Sequence, residues 1–334
     1  MSADIDPIDD IKKALQIALY IELSTIPPYL CALWSLEPGR NSAAARGIHE
    51  VVMQEMLHMT LVANVMNALK AKPVIADAGF VPRYPGTLPH SDGKITVDLG
   101  PFSNAALETF RKIEQPAPAK APPQPDKYNS IAQFYESILE KMAAHATSRS
   151  VWTGIRSWQV QPNTYFYGSG GDAIEVHDYG SAKTALETIM FEGEGLNTGI
   201  WQPNRPVTGP DHEFAHFFRF DELYKKRRYK ACDTPKTGPT GDPILVDYGA
   251  VLPMRLNPKA ADYPAGSELR AMTDECSRTY TALLKQLQAA FSGNPSLLMD
   301  SVVTMKRLGY QAIALMNVPY MDGLNAGPSF EWRP

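Results

Sequence analysis

Apolar residues recur at intervals of three and four along most of this chain, which is the spacing of helices that bury one face. In the first stretch, Ile11, Leu15 and Ala18 share one stripe with Glu22. The pattern predicts seven helices, at about residues 7–36, 42–70, 129–147, 181–199, 211–227, 267–291 and 296–316. The first, second, fourth and fifth are expected to form a four-helix bundle, and the last two to be extra C-terminal helices. The predicted fold class is all-α.

The periodic pattern is interrupted after the second helix. Residues 72–127 hold ten prolines and few periodic segments. Within them, "ITVDLGPF" predicts a short strand and "NAALETFRKIE" a short helix. The apolar content is too broken for an independent core, so we interpret this region as a Pro-rich insertion that covers the bundle. A single domain over residues 1–334 is therefore expected.

Two adjacent prolines lie inside the first predicted helix. Pro27 and Pro28 follow Glu22 by five and six residues. Proline removes a backbone donor and clashes with the preceding turn, so a kink or break is expected there. Such a kink would splay the later half of the helix and leave room for a substrate beside Glu22.

Composition and charge narrow the possible partners. The chain has 334 residues, is 44% hydrophobic and carries a net charge of −4, which gives no reason to expect nucleic acid or an anionic membrane. The sequence contains no run of about 18 apolar residues, so it predicts no transmembrane span. The acidic N-terminus does not resemble a signal peptide. Cys31, Cys232 and Cys276 form no paired motif, which favours the reducing cytoplasm.

A carboxylate and an imidazole interrupt the apolar face of the second helix. Glu55 and His58 lie three residues apart in "EVVMQEMLHM", among valine, leucine and methionine. Residues at this spacing project from one face of a helix and can reach the same metal ion. A buried carboxylate is costly unless it is paired or bound to a metal. Alone, this short motif is weak evidence.

The motif recurs later, which strengthens it. Glu213 and His216 repeat the spacing in "HEFAHFF". Each of the two motifs follows a helix that carries a carboxylate in apolar surroundings. In the first case this is Glu22; in the second, Glu192 and Glu194 of "MFEGEGL" are both possible.

One glutamate from each of two helices and Glu-x-x-His from two others form the dinuclear metal site of ferritin-like bundles. Carboxylate and imidazole ligands suit non-haem iron or manganese. The pattern therefore predicts two metal ions per chain. The alternative interpretation is a set of satisfied polar contacts between packed helices.

A competing motif uses some of the same residues. "HEFAH" matches H-E-x-x-H, in which His212 and His216 would bind zinc and Glu213 would be the general base of a hydrolase. This hypothesis lacks an evident third ligand. It also leaves Glu22, Glu55 and His58 unexplained.

Several fragments together resemble a known family. The fragments are "LSTIPPYL", "EMLHM", "GEG", "HFFRF" and "GPSFEW". They are similar to the ferritin-like domain of the iminophenyl-pyruvate dimer synthase family, which also occurs in violacein and chromopyrrolic-acid biosynthesis proteins. The resemblance extends from about residue 8 to residue 333. Some members couple two imines derived from oxidised aromatic amino acids.

The resemblance implies roles for particular residues. It assigns metal ligation to Glu22, Glu55, His58, Glu194, Glu213 and His216, and it favours Glu194 over Glu192. The family motif resembles Gln-Gly-Glu-Gly, so Glu192 replaces a glutamine and places an extra carboxylate near the site. Whether Glu192 or Glu187 also binds metal stays open. The chain lacks the large additional region of the violacein and chromopyrrolic-acid proteins, which puts the dimerisation of tryptophan-derived imines in doubt.

The leading functional hypothesis is a di-iron oxidoreductase that uses O₂ on an aromatic or amino-acid-derived imine. Its partners would be that small molecule and O₂, and its state a monomer or small homo-oligomer. An iron-binding protein without turnover is the second hypothesis, and the zinc hydrolase is the third. For the remaining polar and aromatic candidates, ordinary core packing or loop hydrogen bonding is favoured: Tyr29, Trp34, Tyr165, Tyr167, Phe217, His177 and Asp178.

Overall fold

The computed structural model of the chain describes residues 6–162, 171–195, 200 and 214–334. Within these ranges the chain is mostly helical, which confirms the predicted fold class. The helices are α1 (Pro7–Trp34), α2 (Ser42–Ala68), α3 (Asn104–Ile113), α4 (Ile131–His145), α5 (Tyr179–Gly193), α6 (His216–Lys225), α7 (Glu268–Phe291) and α8 (Leu297–Met316). The strands are β1 (Gly86–Thr87), β2 (Thr96–Val97), β3 (Pro319–Met321) and β4 (Leu324–Asn325).

Four helices enclose the centre of the fold. α1 packs against α2 and α4, and α5 packs against the same two helices. Asp6 caps the start of α1, because its side chain accepts a hydrogen bond from the Ile8 amide. Pro7 is the first helical residue, a position at which the missing amide hydrogen would have no helical acceptor. The sequence pattern placed α4 outside the bundle, yet it lies between α1 and α5. α6 packs on α3 and α2.

Helix α1 continues through both of its prolines. A kink or a break was predicted, and the helix is not broken: Pro27 and Pro28 lie inside one helix that extends to Trp34. Pro28 cannot donate to the carbonyl of Ser24, four residues earlier. The hydroxyl of Tyr84 donates to that carbonyl instead, at 2.8 Å. A donor from the insertion therefore satisfies the backbone group that Pro28 leaves without its helical partner.

The Pro-rich insertion is part of the same hydrophobic core as the bundle. β1 and β2 pair as a short antiparallel ladder, and the predicted short helix is α3. Leu107, Phe110 and Ile113 on α3 are buried in the core that α1 and α2 also form. The insertion thus places α3 directly against the bundle.

The C-terminal helices α7 and α8 pack against each other and against α2 and α1 respectively. α1 is long and apolar enough to cross a membrane by length and composition, but 78% of the relevant window is buried inside the protein. Such burial is typical of a core helix. Cys31, Cys232 and Cys276 are all free thiols.

Candidate metal centre

Helices α1 and α2 bring together a first cluster of ligand-type side chains. Glu22, Glu55 and His58 are buried, and their ligand atoms lie within 4.8 Å of one another. Nδ1 of His58 is 3.3 Å from Oε2 of Glu22. Glu22 projects from α1 toward the face of α2 on which the three-residue spacing places Glu55 and His58 together.

A second cluster lies next to the first. Glu55, Glu114 and His216 are buried, and their ligand atoms are also within 4.8 Å of one another. Nδ1 of His216 is 2.9 Å from Glu55 and 3.6 Å from Glu114. The two imidazole rings stack, with 5.3 Å between their centroids.

Glu55 belongs to both clusters, as a carboxylate bridging two metal ions would. Each cluster offers carboxylate oxygens and one imidazole nitrogen, which is a donor set for non-haem iron or manganese. His216 gives a further indication. Both of its ring nitrogens are buried without a hydrogen bond of acceptable geometry in the described part of the chain. A buried polar atom of this kind requires a partner, and a metal ion fits the surroundings of Nδ1.

The two outer carboxylates are held in the same way. The hydroxyl of Tyr135 donates to Oε1 of Glu22 at 2.5 Å, while the other oxygen of Glu22 faces His58. The hydroxyl of Tyr29 donates to Oε1 of Glu114, also at 2.5 Å. In each case one oxygen is fixed by a tyrosine, and the other remains directed toward a histidine.

The shared carboxylate, Glu55, is also oriented by a hydroxyl. The hydroxyl of Thr25 lies 2.8 Å from Oε2 of Glu55 and 2.8 Å from the backbone carbonyl of Glu22, so its single hydrogen is shared between these two acceptors. Glu22, Thr25 and Tyr29 therefore follow one stripe of α1, at intervals of three and four. This stripe supplies one candidate ligand and two groups that orient candidate ligands.

Glu192 contacts the outer side of the first histidine. Its Oε2 lies 3.1 Å from Nε2 of His58, on the side of the ring away from Nδ1 and Glu22. A metal-binding histidine usually donates its second ring N–H to a carboxylate or carbonyl. The position of Glu192 suits this supporting role.

Glu194 lies at the edge of the site, where backbone amides hold its carboxylate. Its two oxygens accept hydrogen bonds from the backbone amides of Ala132 and Ala117, at 2.8 and 3.1 Å. The Ala132 amide belongs to the first turn of α4, where a negative charge is favourable. Glu194 is in neither ligand cluster of the described residues. The structure places Glu114 in the second cluster, a position for which the sequence suggested Glu194.

Burial and charge set the protonation of the site. Burial, together with the negative charge of Glu114, raises the pKa of Glu55 to about 7, although His216 opposes the change. Burial also raises the pKa of Glu194 to about 8. Burial alone would lower the pKa of His58, but its contacts with Glu192 and Glu22 raise it well above the ordinary value. Without metal, the site therefore retains protons around neutral pH.

The supporting tyrosines remain neutral. Burial raises the pKa of Tyr29 well above its ordinary value, and the charge of Glu114 adds to the effect. Burial and the charge of Glu22 do the same for Tyr135. Both hydroxyls therefore remain hydrogen-bond donors to the carboxylates across the physiological pH range.

The second Glu-x-x-His motif is not one helical turn. α6 begins at His216 rather than at residue 211, because Ala215 has an extended backbone with ψ of 156°. His212 and Glu213, like the aromatic candidates Tyr165 and Tyr167, lie outside the described residues. The zinc-hydrolase motif requires two histidines one turn apart on a continuous helix. The non-helical Ala215 interrupts that arrangement.

The sequence pattern did not predict Glu114 as a candidate ligand, because the Pro-rich insertion was expected only to cover the bundle. It lies just after the last residue of α3, in front of the Pro-rich stretch. A signal was available, since Leu107, Phe110 and Glu114 have the spacing of one helical stripe. Phe110 also packs edge-on against Tyr29, with 4.6 Å between ring centroids. This contact anchors α3 where Glu114 reaches the site.

A small cavity lies beside the first cluster. It has a volume of about 10 Å³ and is bordered by Glu22, Glu55, His58, Glu114 and Glu194. Its remaining wall is largely apolar and comes from α4 and α5: Ile131, Ala132, Ile189, Met190 and Gly193. A cavity needs roughly 10–15 Å³ to hold one water molecule, so this cavity has room for about one water, and an aromatic group could enter only if the surrounding side chains moved.

The other candidate residues have ordinary surroundings. Glu187 pairs with Lys183 on the exposed face of α5. Asp178 caps the start of α5 by accepting a hydrogen bond from the Ser181 amide, as a loop role for this residue implies. Pro27 lines a different cleft, on the side of α1 away from Glu22. Trp34 stacks on Phe330 in the core.

Comparisons with known proteins agree with this architecture. The family described as ferritin-like matches residues 15–225. A crystal structure of a ferritin-like protein from Caulobacter vibrioides, at 1.95 Å resolution, superposes with a TM-score of 0.65 and 24% identity. The match covers 96% of this chain and 97% of that one. No curated protein matches the sequence. From the match over residues 15–225, this chain belongs to the ferritin-like family.

Proposed function

We propose that this protein is a dinuclear non-haem metalloenzyme that uses O₂ to oxidise a small aromatic or amino-acid-derived imine. The observation that carries the proposal is Glu55, which is shared by two carboxylate–histidine clusters. A single structural metal needs only one closed ligand set. A shared carboxylate suits two adjacent ions, which is the arrangement of di-iron bundles.

The proposed ligands are Glu22 and His58 on one side, Glu114 and His216 on the other, and Glu55 between them. Glu194, which the family resemblance implied, belongs to neither cluster. Glu213, which the resemblance also implied, lies outside the described residues and stays a predicted ligand. Iron is the metal that we propose, with manganese as the alternative for the same oxygen and nitrogen donors. A reduced iron pair would supply the electrons for the reaction with O₂.

The protein groups would orient ligands and exclude water. The hydroxyls of Tyr135, Tyr29 and Thr25 each fix one oxygen of a carboxylate. Preorganised ligands need little rearrangement during a reaction. The candidate ligands are at most 4% exposed, so bulk water has little access to the clusters. The cavity beside the clusters would have to widen to accept the aromatic part of a substrate, and its wall from α4 and α5 is largely apolar.

The cellular setting follows from the same proposal. A substrate-oxidising enzyme needs no cage, so we propose a monomer or a small homo-oligomer. The three free cysteines fit a reducing compartment, and we place the protein in the cytoplasm.

Metal stoichiometry tests the dinuclear site. Protein reconstituted anaerobically with ferrous iron should contain about two irons per chain. Glu55→Ala should lose both, whereas Glu22→Ala and Glu114→Ala should each retain about one. Glu187→Ala is a matched control, because Glu187 pairs with Lys183 on the solvent-facing side of α5 and belongs to neither cluster. One zinc per chain that persists in Glu55→Ala would contradict the proposal.

Turnover separates the enzyme from a metal-storage protein. Stopped-flow mixing of the diferrous protein with O₂ should show faster oxidation when an aromatic imine is present. Light scattering should give the mass of one or a few chains. Uptake of hundreds of irons by a large closed shell would contradict the enzymatic proposal and support storage.

A further inference from the structure

A second pocket lies between α1 and the first part of the Pro-rich insertion. Tyr20 and Ser24 of α1 form one wall, and residues 81–88 form most of the rest. Its volume is about 280 Å³. Tyr20 and Ser24 each lie two residues from Glu22, which is about 200° around a helix. The pocket is therefore on the opposite side of α1 from the metal centre.

Arg83 brings a positive charge to this pocket. It is exposed, and it is the one charged side chain among the described residues that line the pocket. Its guanidinium forms no hydrogen bond or ion pair with any residue that the structure describes. The carboxylate of Asp77 is occupied by the Gly79 amide at 2.7 Å, and the ammonium of Lys259 by the Tyr84 carbonyl. The charge of Arg83 is thus available to a ligand.

Tyr20 adds a neutral donor beside this cation. Its ring packs edge-on against Phe80, with 5.8 Å between the centroids. Its hydroxyl forms no hydrogen bond with the described part of the chain. Burial raises the pKa of Tyr20, and the charge of Arg83 opposes this change because the two groups are close. The phenol and the guanidinium can therefore donate to the same anion.

The loop that carries Arg83 is held in place without a ligand. The hydroxyl of Tyr84 donates to the Ser24 carbonyl at 2.8 Å, and its own carbonyl accepts from Lys259. A Cβ atom on Gly86 would overlap the Arg83 carbonyl, so glycine permits the tight turn between them. A site that is already ordered loses less free energy when it binds a ligand.

Charge and size indicate a small carboxylate as the ligand. A guanidinium presents its N–H groups in a planar fork that matches a carboxylate. One positive charge balances one carboxylate, whereas a phosphate group carries about 1.5–2 negative charges at neutral pH. Val81 and Leu88 offer apolar contacts, and Thr87 offers a hydroxyl. These walls suit a short carbon chain with a polar substituent.

We propose that this pocket binds a small hydroxy acid, with its single carboxylate on Arg83 and Tyr20. The site is separate from the metal centre. It does not rest on the proposed oxidative function.

Calorimetric titration of the full-length protein with lactate, lactamide and inorganic phosphate tests this choice of ligand. Lactate should bind saturably at one molecule per chain. Lactamide has nearly the same shape without the charge and should bind at least roughly tenfold more weakly, because a charge-assisted hydrogen bond is lost. Equal binding of lactamide, tighter binding of phosphate, or no saturable binding of lactate would overturn the proposal.

Variants of the cation locate the ligand. Arg83→Gln should weaken lactate binding at least roughly tenfold, since an amide cannot replace the charged fork. Arg278→Gln is the matched control, because Arg278 pairs with Glu275 on α7 and does not line the pocket. It should bind lactate like the parent. Parental affinity in Arg83→Gln would overturn the proposal.

Tyr20→Phe tests the second donor. It removes one hydroxyl and should weaken lactate binding severalfold, whereas Tyr310→Phe, at a residue 74% exposed on α8, should not. Parental affinity in Tyr20→Phe would contradict the role of this hydroxyl. Arg83→Gln and Tyr20→Phe should both keep the melting temperature and metal content of the parent. Loss of lactate binding is then distinguishable from unfolding and from failure of the metal centre.

Discussion

The hydroxyl of Tyr29 donates a 2.5 Å hydrogen bond to the carboxylate of Glu114. Tyr29 lies on the first helix of the bundle and Glu114 at the end of α3, so this bond joins the bundle to the insertion. Tyr29→Phe would leave a buried carboxylate without its donor, which costs about 1–3 kcal/mol. We expect lower thermal stability and weaker binding of the second metal ion. Calorimetric melting and iron titration would measure both.

The control for this variant is Tyr310→Phe, which changes a tyrosine that is 74% exposed. It should have the stability and metal content of the parent. If Tyr29→Phe also had the stability and metal content of the parent, the hydrogen bond to Glu114 would have no influence on the site.

The contact between Glu192 and His58 predicts a graded response to substitution. Glu192→Gln keeps an oxygen that can accept from Nε2 of His58, so metal binding should persist. Glu192→Leu removes that acceptor, and loss of an outer-shell partner typically weakens metal affinity by roughly 10–100-fold. Competition with a chelator would measure the change.

Glu187→Leu is the matched control on α5, because Glu187 is on the exposed face. It should bind metal like the parent. Complete loss of one metal in Glu192→Gln, as severe as in Glu22→Ala, would instead identify Glu192 as a ligand.

The raised pKa of Glu55 predicts how stability depends on pH. Folded, metal-free protein holds this proton up to about pH 7, whereas an unfolded chain releases it near 4.5. The folded state therefore binds more protons across this window, and the contribution of Glu55 to stability falls as pH rises through it. Glu194, with a pKa of about 8, acts in the same direction over a wider window.

Metal binding should reverse this dependence, because ligands must lose their protons to bind. The melting temperature of the metal-free protein should fall between pH 5.5 and 8, while the increase caused by iron should grow. Proton release on iron binding, measured in weak buffer, should be greater at pH 6 than at pH 8. A metal-induced increase that shrinks with rising pH would contradict this assignment of protons.

The hydrogen bond from Tyr84 to the Ser24 carbonyl predicts a separate effect on α1. Tyr84→Phe leaves a buried carbonyl without a donor beside Pro28, at a cost of about 1–3 kcal/mol. Hydrogen exchange should increase in the later half of α1. The variant Pro28→Ala/Tyr84→Phe restores a backbone donor and should recover part of the loss. Full stability in Tyr84→Phe alone would show that water replaces the hydroxyl.

The helical periodicity of the sequence predicted part of the candidate metal centre. Glu55 and His58 are on one turn of a long apolar helix, and Glu22 follows the stripe of α1, so spacing alone brings them toward a common interior. His216 was also suggested by spacing, although the helical turn assumed for it begins only at that residue. Such arguments succeed where a single helix fixes the geometry.

The other features of the site depend on tertiary contacts, which local sequence patterns do not reveal. Glu114 reaches the site because Phe110 packs on Tyr29, a contact between segments far apart in the chain. Pro27 and Pro28 predicted a break by local rules, but a donor from the insertion replaces a missing amide. Glu194 and Glu192 could not be distinguished by sequence spacing. Their roles differ through Ala132 and His58, which lie on other helices.

The placement of Glu114 also affects how firmly a metal pair would be retained. The proposed ligands come from α1, α2, α6 and the end of α3, so two bound ions would cross-link distant parts of one chain. Opening any single helix would detach only part of the ligand set, and the remaining ligands would hold the ions in place. Escape would then require several segments to separate together. The rate of metal loss should therefore approach the rate of global unfolding, and the bound ions would slow the unfolding of the protein.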